Sequence, residues 1–353
     1  MNFLKKLTYL FIAVLILASC SNDDDSGDPV LPLGDYENGI LITNEGPFGT
    51  GTGTISFISE DNSTNEGSIF QNVNESELGN IVQSIGFNGD NAYIVVNNSH
   101  KIQVVNRYTF ELVATIDTGL INPRNFVAVE NSGYVTNWGD PFDDADDFVA
   151  VIDLTTNTIV ETISVDFGPE KLITDRNNVY VAHKGGYSQN NKITIIDTSN
   201  NTVNSTVDVG DVPNSMVLID NDLWILCGGN PSFATTETNG SLVKLDLNSN
   251  NLIQTFDFNN TTDHPSSLTI YGSNLLYNLN GSVFSVDVDT PSIPTTSILD
   301  GSFYTMTANG GKLYATDAGD FASNGTLKVF DLSTNTEVES YTVGIIPGGI
   351  YFN

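Results

Sequence analysis

The chain has 353 residues, of which 43 are acidic and only 12 basic, for a formal charge of −31. That balance excludes nucleic acid and anionic membrane surfaces as partners held by charge, because both would be repelled. It fits a soluble, self-repelling domain and identifies no ligand.

Taken in chain order, the first nineteen residues read as a secretory leader. Lys5 and Lys6 form a positive start, and LTYLFIAVLILAS is its apolar stretch. Leu17-Ala18-Ser19-Cys20 matches the bacterial lipobox, which implies cleavage before Cys20 and its acylation. Acyl chains enter a bilayer at ~0.8 kcal/mol per CH₂, so several on one residue anchor firmly. SNDDDSGD follows; it resembles the acidic export signal of Bacteroidetes surface lipoproteins, which implies an outer-membrane protein facing outward. Residues 20–37 have the polar, Pro/Gly-biased composition of a flexible tether. Without the leader the balance is 10 basic against 43 acidic residues. With Cys20 acylated, Cys227 has no disulfide partner, and LWILCGG places it as a small buried residue at a strand end.

From residue 38 onward one unit repeats. Six short apolar runs end at Asn106, Asp153, Asp197, Asp246, Asp287 and Asp331, at spacings of 47, 44, 49, 41 and 44. After four of them comes a polar turn (LTTNT, TSNNT, LNSNN, LSTNT), whose side chains bond the local backbone. A further strand follows each turn. Upstream lies a strand with an aromatic or apolar centre, such as NAYIVVN or DLWILCG, and before it a strand often opened by proline: Pro123, Pro169, Pro213, Pro265, Pro347. Four short strands in about 45 residues, without helical periodicity, describe a β-propeller blade. NGILITNEG, GTISFISED and GSIFQNV supply the second, third and fourth strands of a first blade. The closing IIPGGIYFN supplies its missing inner strand, so pairing of 346–353 with 38–44 predicts a closed, all-β, seven-bladed propeller over 38–353.

Propeller geometry places the second-strand loops and the blade-linking segments on one face. Five of these loops, within 43–53, 136–147, 182–191, 227–240 and 316–325, carry a glycine and then an aromatic: Phe48, Phe142, Tyr187, Phe233 and Phe321. Trp138 stands in the second of them. Each aromatic is either a plug over its own blade or part of a ring around the channel mouth. The linking segments add Arg124, Lys171, Asn125, Asn214, Ser266 and Tyr304 to this face. A salt bridge with a neighbouring carboxylate is the alternative for the two cations. His100, His183 and His264 register to loops of the same face in blades 2, 4 and 6. Alternate blades hold their loops too far apart for one metal ion, so His183 counts as a candidate ligand contact and no metal site is expected. DPFDDADD (140–147) is acidic enough for Ca²⁺ but lacks the spacing of a calcium loop. No nucleotide fingerprint or nucleophile elbow occurs, and no acid–base pair marks an enzyme.

IDTSNNTVNSTVDVGDVPNS (196–215) and FDLSTNTEVESYTVG (330–344) resemble the YVTN/YncE-like seven-bladed propellers, with the architecture of the quinoprotein amine dehydrogenase β-chain. A narrower likeness covers residues 40–126: Asn44-Glu45-Gly46, Leu78-Gly79, Gln83-Ser84 and Asn97-Asn98-Ser99 resemble a DUF-type Bacteroidetes surface propeller family. That family includes BtuG-type lipoproteins that capture cobalamin. The resemblance implies a monomeric, lipid-anchored protein that binds a corrinoid-like nutrient and passes it to a TonB-dependent transporter, without a cofactor of its own. The alternatives are an adhesion module using a flat aromatic patch, and a lyase-type enzyme with a histidine and a carboxylate converging in the channel mouth.

Overall fold

The computed structural model describes residues 32–140 and 142–353. The leader, Cys20 and most of the tether lie outside the described residues, as does Pro141. The remainder forms seven four-stranded antiparallel sheets. Blade 1 runs outward as Pro347–Phe352, Gly39–Asn44, Thr54–Ser59 and Asn65–Glu66. Blades 2 to 7 begin with inner strands Val82–Asn88, Pro123–Val129, Pro169–Thr174, Pro213–Ile219, Ser266–Tyr271 and Thr305–Asn309. Each inner strand touches the inner strands of both neighbouring blades, and those of blades 7 and 1 meet, so the ring is closed. The clasp is the expected one: Ile40 pairs with Phe352, Ile42 with Ile350 and Thr43 with Gly349.

The apolar residues of the strands collect between blades. One cluster fills each of the seven interfaces. Tyr93 and Val95 meet Phe126 and Val135 between blades 2 and 3, and Ile42 and Ile58 meet Leu327 and Val329 across the closure. Cys227 is fully buried in one such cluster, and burial pushes its thiol up to about 12, so it behaves as an inert small residue.

The repeated Asp or Asn has a local cause. It accepts the backbone N–H two residues on: Tyr108 to Asn106 at 2.9 Å, Thr155 to Asp153 at 2.8 Å, Ser199 to Asp197 at 2.8 Å and Ser333 to Asp331 at 2.7 Å. This is an Asx turn. Two residues further, Asn157, Asn201, Asn250 and Asn335 take the left-handed conformation at φ 53–57° that tightens the hairpin. A bulge follows in each hairpin, as between Val151 and Ile152.

Blade 1 departs from the reading of the sequence. GSIFQNV is not its fourth strand. That place is taken by the two-residue Asn65–Glu66, and Ile69–Asn74 is a short helix. The helix sends Ile69 and Phe70 into the interface between blades 1 and 2. Asn74 ties it to blade 2, donating to Phe110 O at 2.9 Å and accepting from Leu112 N at 2.8 Å.

Candidate functional site

The face predicted to carry the aromatics opens into a cavity of about 780 Å³ at the mouth of the central channel. Two recurring positions build its wall. The first is the residue after the strand-opening proline: Arg124, Glu170, Asn214, Ser266 and Gly348 all line it. The second is the residue after the second strand, and it contributes Glu45, Trp138, Lys184 and Gly228. A glycine at positive φ then turns each aromatic-bearing loop away: Gly46, Gly139, Gly185, Gly229 and Gly319.

At the centre of one wall Arg124 and Glu170 form a forked pair. Nε donates to Oε2 and Nη2 to Oε1, each at 3.0 Å, with both side chains largely buried. The guanidinium carbon lies 4.0 Å from the Trp138 ring centre, a cation–π arrangement. Trp138 is held in place by its indole N–H, which donates to Pro169 O at 3.0 Å. Burial pushes the Glu170 carboxyl up, but Arg124, Lys184 and Lys171 together outweigh it and hold it below the ordinary range. Breaking such a pair costs about 3–5 kcal/mol, because the partner is left buried and uncompensated. Arg124 therefore follows the salt-bridge alternative, while also lining the cavity.

Lys171 is accessible to the channel, and its ammonium donates to Asn125 Oδ1 at 3.2 Å. The protein mass around it lowers its pKa; Glu170 opposes that shift, and Arg124 and Lys184 add to it. Across the mouth, Tyr304 donates to Glu45 Oε1 at 2.9 Å. Burial raises the Glu45 carboxyl, and the Tyr304 bond and Arg124 offset part of the rise.

The five loop aromatics are not plugs. Phe48, Phe142, Tyr187, Phe233 and Phe321 are 77%, 85%, 59%, 81% and 54% exposed. Phe48 and Tyr187 line the cavity with Arg124, Trp138, Lys171 and Tyr304. Phe142 and Trp138 both stand against Tyr187, at centroid distances of 5.7 and 5.8 Å. Phe321 stands against Tyr304 at 5.7 Å. Phe233 projects from its loop outside this group and does not line the cavity.

His183 needs a correction. It ends the strand Asn178–His183 rather than standing in a loop, and it is fully buried. Its Nε2 is 2.8 Å from Thr194 Oγ1 and its Nδ1 is 3.3 Å from Phe167 O, both inside the blade. Burial pushes its pKa down to about 4, so it is neutral and out of a ligand's reach. His100 Nδ1 accepts from Asn122 N at 2.9 Å. His264 does line the cavity: Nδ1–H donates to Gly228 O at 2.8 Å, and Nε2 lies 3.3 Å from Glu237 Oε1.

Reading the sequence missed Glu45, Glu170 and Lys184. The signal was present, since each occupies the register position of a residue that was singled out, Trp138 or Arg124.

Comparison with known proteins adds the following. A Bacteroides thetaiotaomicron protein described as quinonprotein alcohol dehydrogenase-like superposes with a TM-score of 0.64 at 13% identity, over 90% of this chain and 78% of that one. BamB from Moraxella catarrhalis gives 0.55 at 12%, over 90% and 89%. The computationally designed Ika8 protein gives 0.60 at 10%, over 91% and 97%. At these identities the likeness is one of fold. No curated protein matches. A family model described as "Domain of unknown function (DUF5074)" matches residues 38–349.

Proposed function

The chain belongs to the DUF5074 family, and from that premise we propose that it captures a bulky small molecule at the mouth of its propeller channel. One observation carries the reading. The five loop aromatics are exposed instead of folding back onto their blades, and two of them, Phe48 and Tyr187, line a cavity of about 780 Å³. Small-molecule sites measure roughly 300–1,000 Å³ and combine apolar walls with a few placed polar groups. A concave site also favours a small ligand over an adhesion partner, for which a flat patch would serve.

The ligand we propose is a corrinoid-like nutrient. The protein would be lipid-anchored through Cys20 on the outer surface of the outer membrane, and would pass its cargo to a TonB-dependent transporter. Binding without catalysis is part of the proposal: Arg124 holds Glu170 and Tyr304 holds Glu45, so the carboxylates facing the cavity have structural partners. The test is to mix purified protein with excess cyanocobalamin and read visible absorbance across size exclusion. Co-elution of colour with the parent protein is expected. A variant with Phe48, Phe142, Tyr187, Phe233 and Phe321 all changed to Ser should lose the colour yet keep its thermal unfolding transition. Colour eluting apart from the parent protein would overturn the corrinoid reading.

One contact favours a second reading. His264 lines the cavity and Glu237 stands 3.3 Å from its Nε2, the histidine–carboxylate pairing expected of a lyase-type site. Because Nδ1–H is committed to Gly228 O and Nε2 faces the Glu237 carboxylate, a substrate would exchange a proton at Nε2 by taking the place of Glu237. Turnover that His264→Ala abolishes would move the assignment to an enzyme.

A further inference from the structure

The cavity brings together two lysines that have no counter-charge among the described residues. Forty-three carboxylates face twelve basic groups, and four of the lysines find a partner among them: Lys192, Lys244, Lys312 and Lys328. Lys101, Lys171 and Lys184 do not, and the last two share one cavity: among the described residues neither forms an ion pair, although Glu170 and Glu45 line that cavity with them. Glu170 is instead engaged by Arg124 at both oxygens and by Asn125 at one, and neither lysine ammonium comes within ion-pair distance of it. Glu45 is engaged by Tyr304. Three cations thus stand with two carboxylates in one concavity, and the local charge is opposite in sign to that of the molecule. A concave, low-dielectric wall strengthens such a field.

We propose that Lys171 and Lys184 form an anion subsite, which receives a carboxylate or phosphate group of the ligand while its ring system lies against Trp138 and Tyr187. This rests on the reading that the cavity binds a small molecule, and it adds the chemical class of that molecule. Arg124 is a positioning residue here. Its charge is committed to Glu170, and its guanidinium supports the Trp138 face from 4.0 Å. The two ammoniums act as point charges, so they accept carboxylate and phosphate alike and leave the ring system to set orientation.

A matched pair of dyes tests this: 1-anilinonaphthalene-8-sulfonate and N-phenyl-1-naphthylamine, which share a ring system and differ in the sulfonate. Titration followed by dye fluorescence should show the anionic dye binding the parent protein about tenfold tighter, as one charged contact warrants. Lys171→Gln with Lys184→Gln should remove that preference and leave the neutral dye unchanged. Inorganic phosphate and acetate, added separately as competitors, should each displace the anionic dye, and the more effective one identifies the natural group. Equal affinity of the two dyes for the parent would overturn the anion subsite and leave the aromatic cavity standing as a binding site. A preference that persists in the double variant would overturn the assignment to these lysines. Binding of neither dye would overturn both the subsite and the capture reading. The salt dependence of the parent's preference gives a second measurement that needs no variant: a preference unchanged by added salt also counts against the subsite.

Discussion

Asn201 does two things at once. Its left-handed backbone, φ 57°, closes the blade 4 hairpin, and its side-chain oxygen accepts the hydroxyl of Tyr134 from blade 3 at 2.7 Å. Asn157 does the same for Tyr93 of blade 2, at 3.3 Å. Tyrosine delivers a large apolar body to the interface between blades, and its hydroxyl then needs a partner. Asn335 occupies the same turn position, at φ 56°, but receives no tyrosine hydroxyl among the described residues. The two separate turn geometry from hydrogen bonding. Glycine tolerates the left-handed backbone at either position. Asn201→Gly should therefore lose about 1–3 kcal/mol more stability than Asn335→Gly, the usual cost of an orphaned buried polar group. Denaturant midpoints of the two variants measure the difference, and equal losses would mean that Tyr134 finds water instead. The same scale explains a failure of inference. His183 reads as a loop residue because it directly precedes Lys184 and two glycines, yet it is the last residue of its strand. One position separates a side chain aimed into the blade from one aimed into the channel.

At the scale of the element, the strand Pro347–Phe352 carries more than its own length suggests. It is the inner strand of blade 1, and it holds Gly39–Asn44 through a ladder that joins the two ends of the ring. The residue after it extends the clasp. Asn353 accepts from Arg107 Nε at 2.6 Å and donates to Arg107 O at 2.7 Å, reaching into blade 2. Deleting 347–353 would expose the edge of Gly39–Asn44 and the apolar side chains of Ile42 and Ile58 behind it. The truncated protein should lose its single cooperative thermal transition and elute as aggregate in size exclusion. A monomer with an unchanged transition would show that the ring does not depend on its clasp. This closure is legible in the sequence, because a blade without an inner strand and an inner strand without a blade occur once each. The helix Ile69–Asn74 is not legible. In a stretch of seven residues, one apolar doublet flanked by polar residues satisfies a strand and a single helical turn equally.

For the molecule as a whole, two buried groups tilt stability in opposite directions with pH. Burial, together with the charges of Asp146, Asp144 and Asp143, raises Asp147 to about 7 against the pull of a Gly168 N–H. A carboxyl whose folded pKa lies above its unfolded value stabilises the fold fully at low pH, and that contribution is lost as pH rises through about 7. His183 is the converse. Its pKa is lowered to about 4, so its contribution is complete above the unfolded value and lost as pH falls through about 4. Asp147→Asn should then raise the melting temperature relative to the parent near about pH 8 and lose that advantage near about pH 4. A difference that does not vary with pH would mean that Asp147 titrates as an ordinary surface carboxylate.

The architecture of seven closed blades is legible from the spacing of Asp and Asn residues and from the prolines that open inner strands. The channel wall is only half legible. Its positions follow from the repeat, but which of them carry charge without a partner depends on packing across blades that no single repeat displays. Lys184 and Glu170 look like ordinary surface charges until the ring brings them together. The wall itself has a consequence for variation. Five of the seven blades present a post-proline residue to one cavity from the same backbone position, so Arg124, Glu170, Asn214, Ser266 and Gly348 are separate letters in equivalent slots. A letter can change without moving the frame that holds the others, except where two letters are written as a couple, as Arg124 and Glu170 are. The ring is in that sense a dial whose settings are almost independent, and a new specificity is reached by turning one blade at a time.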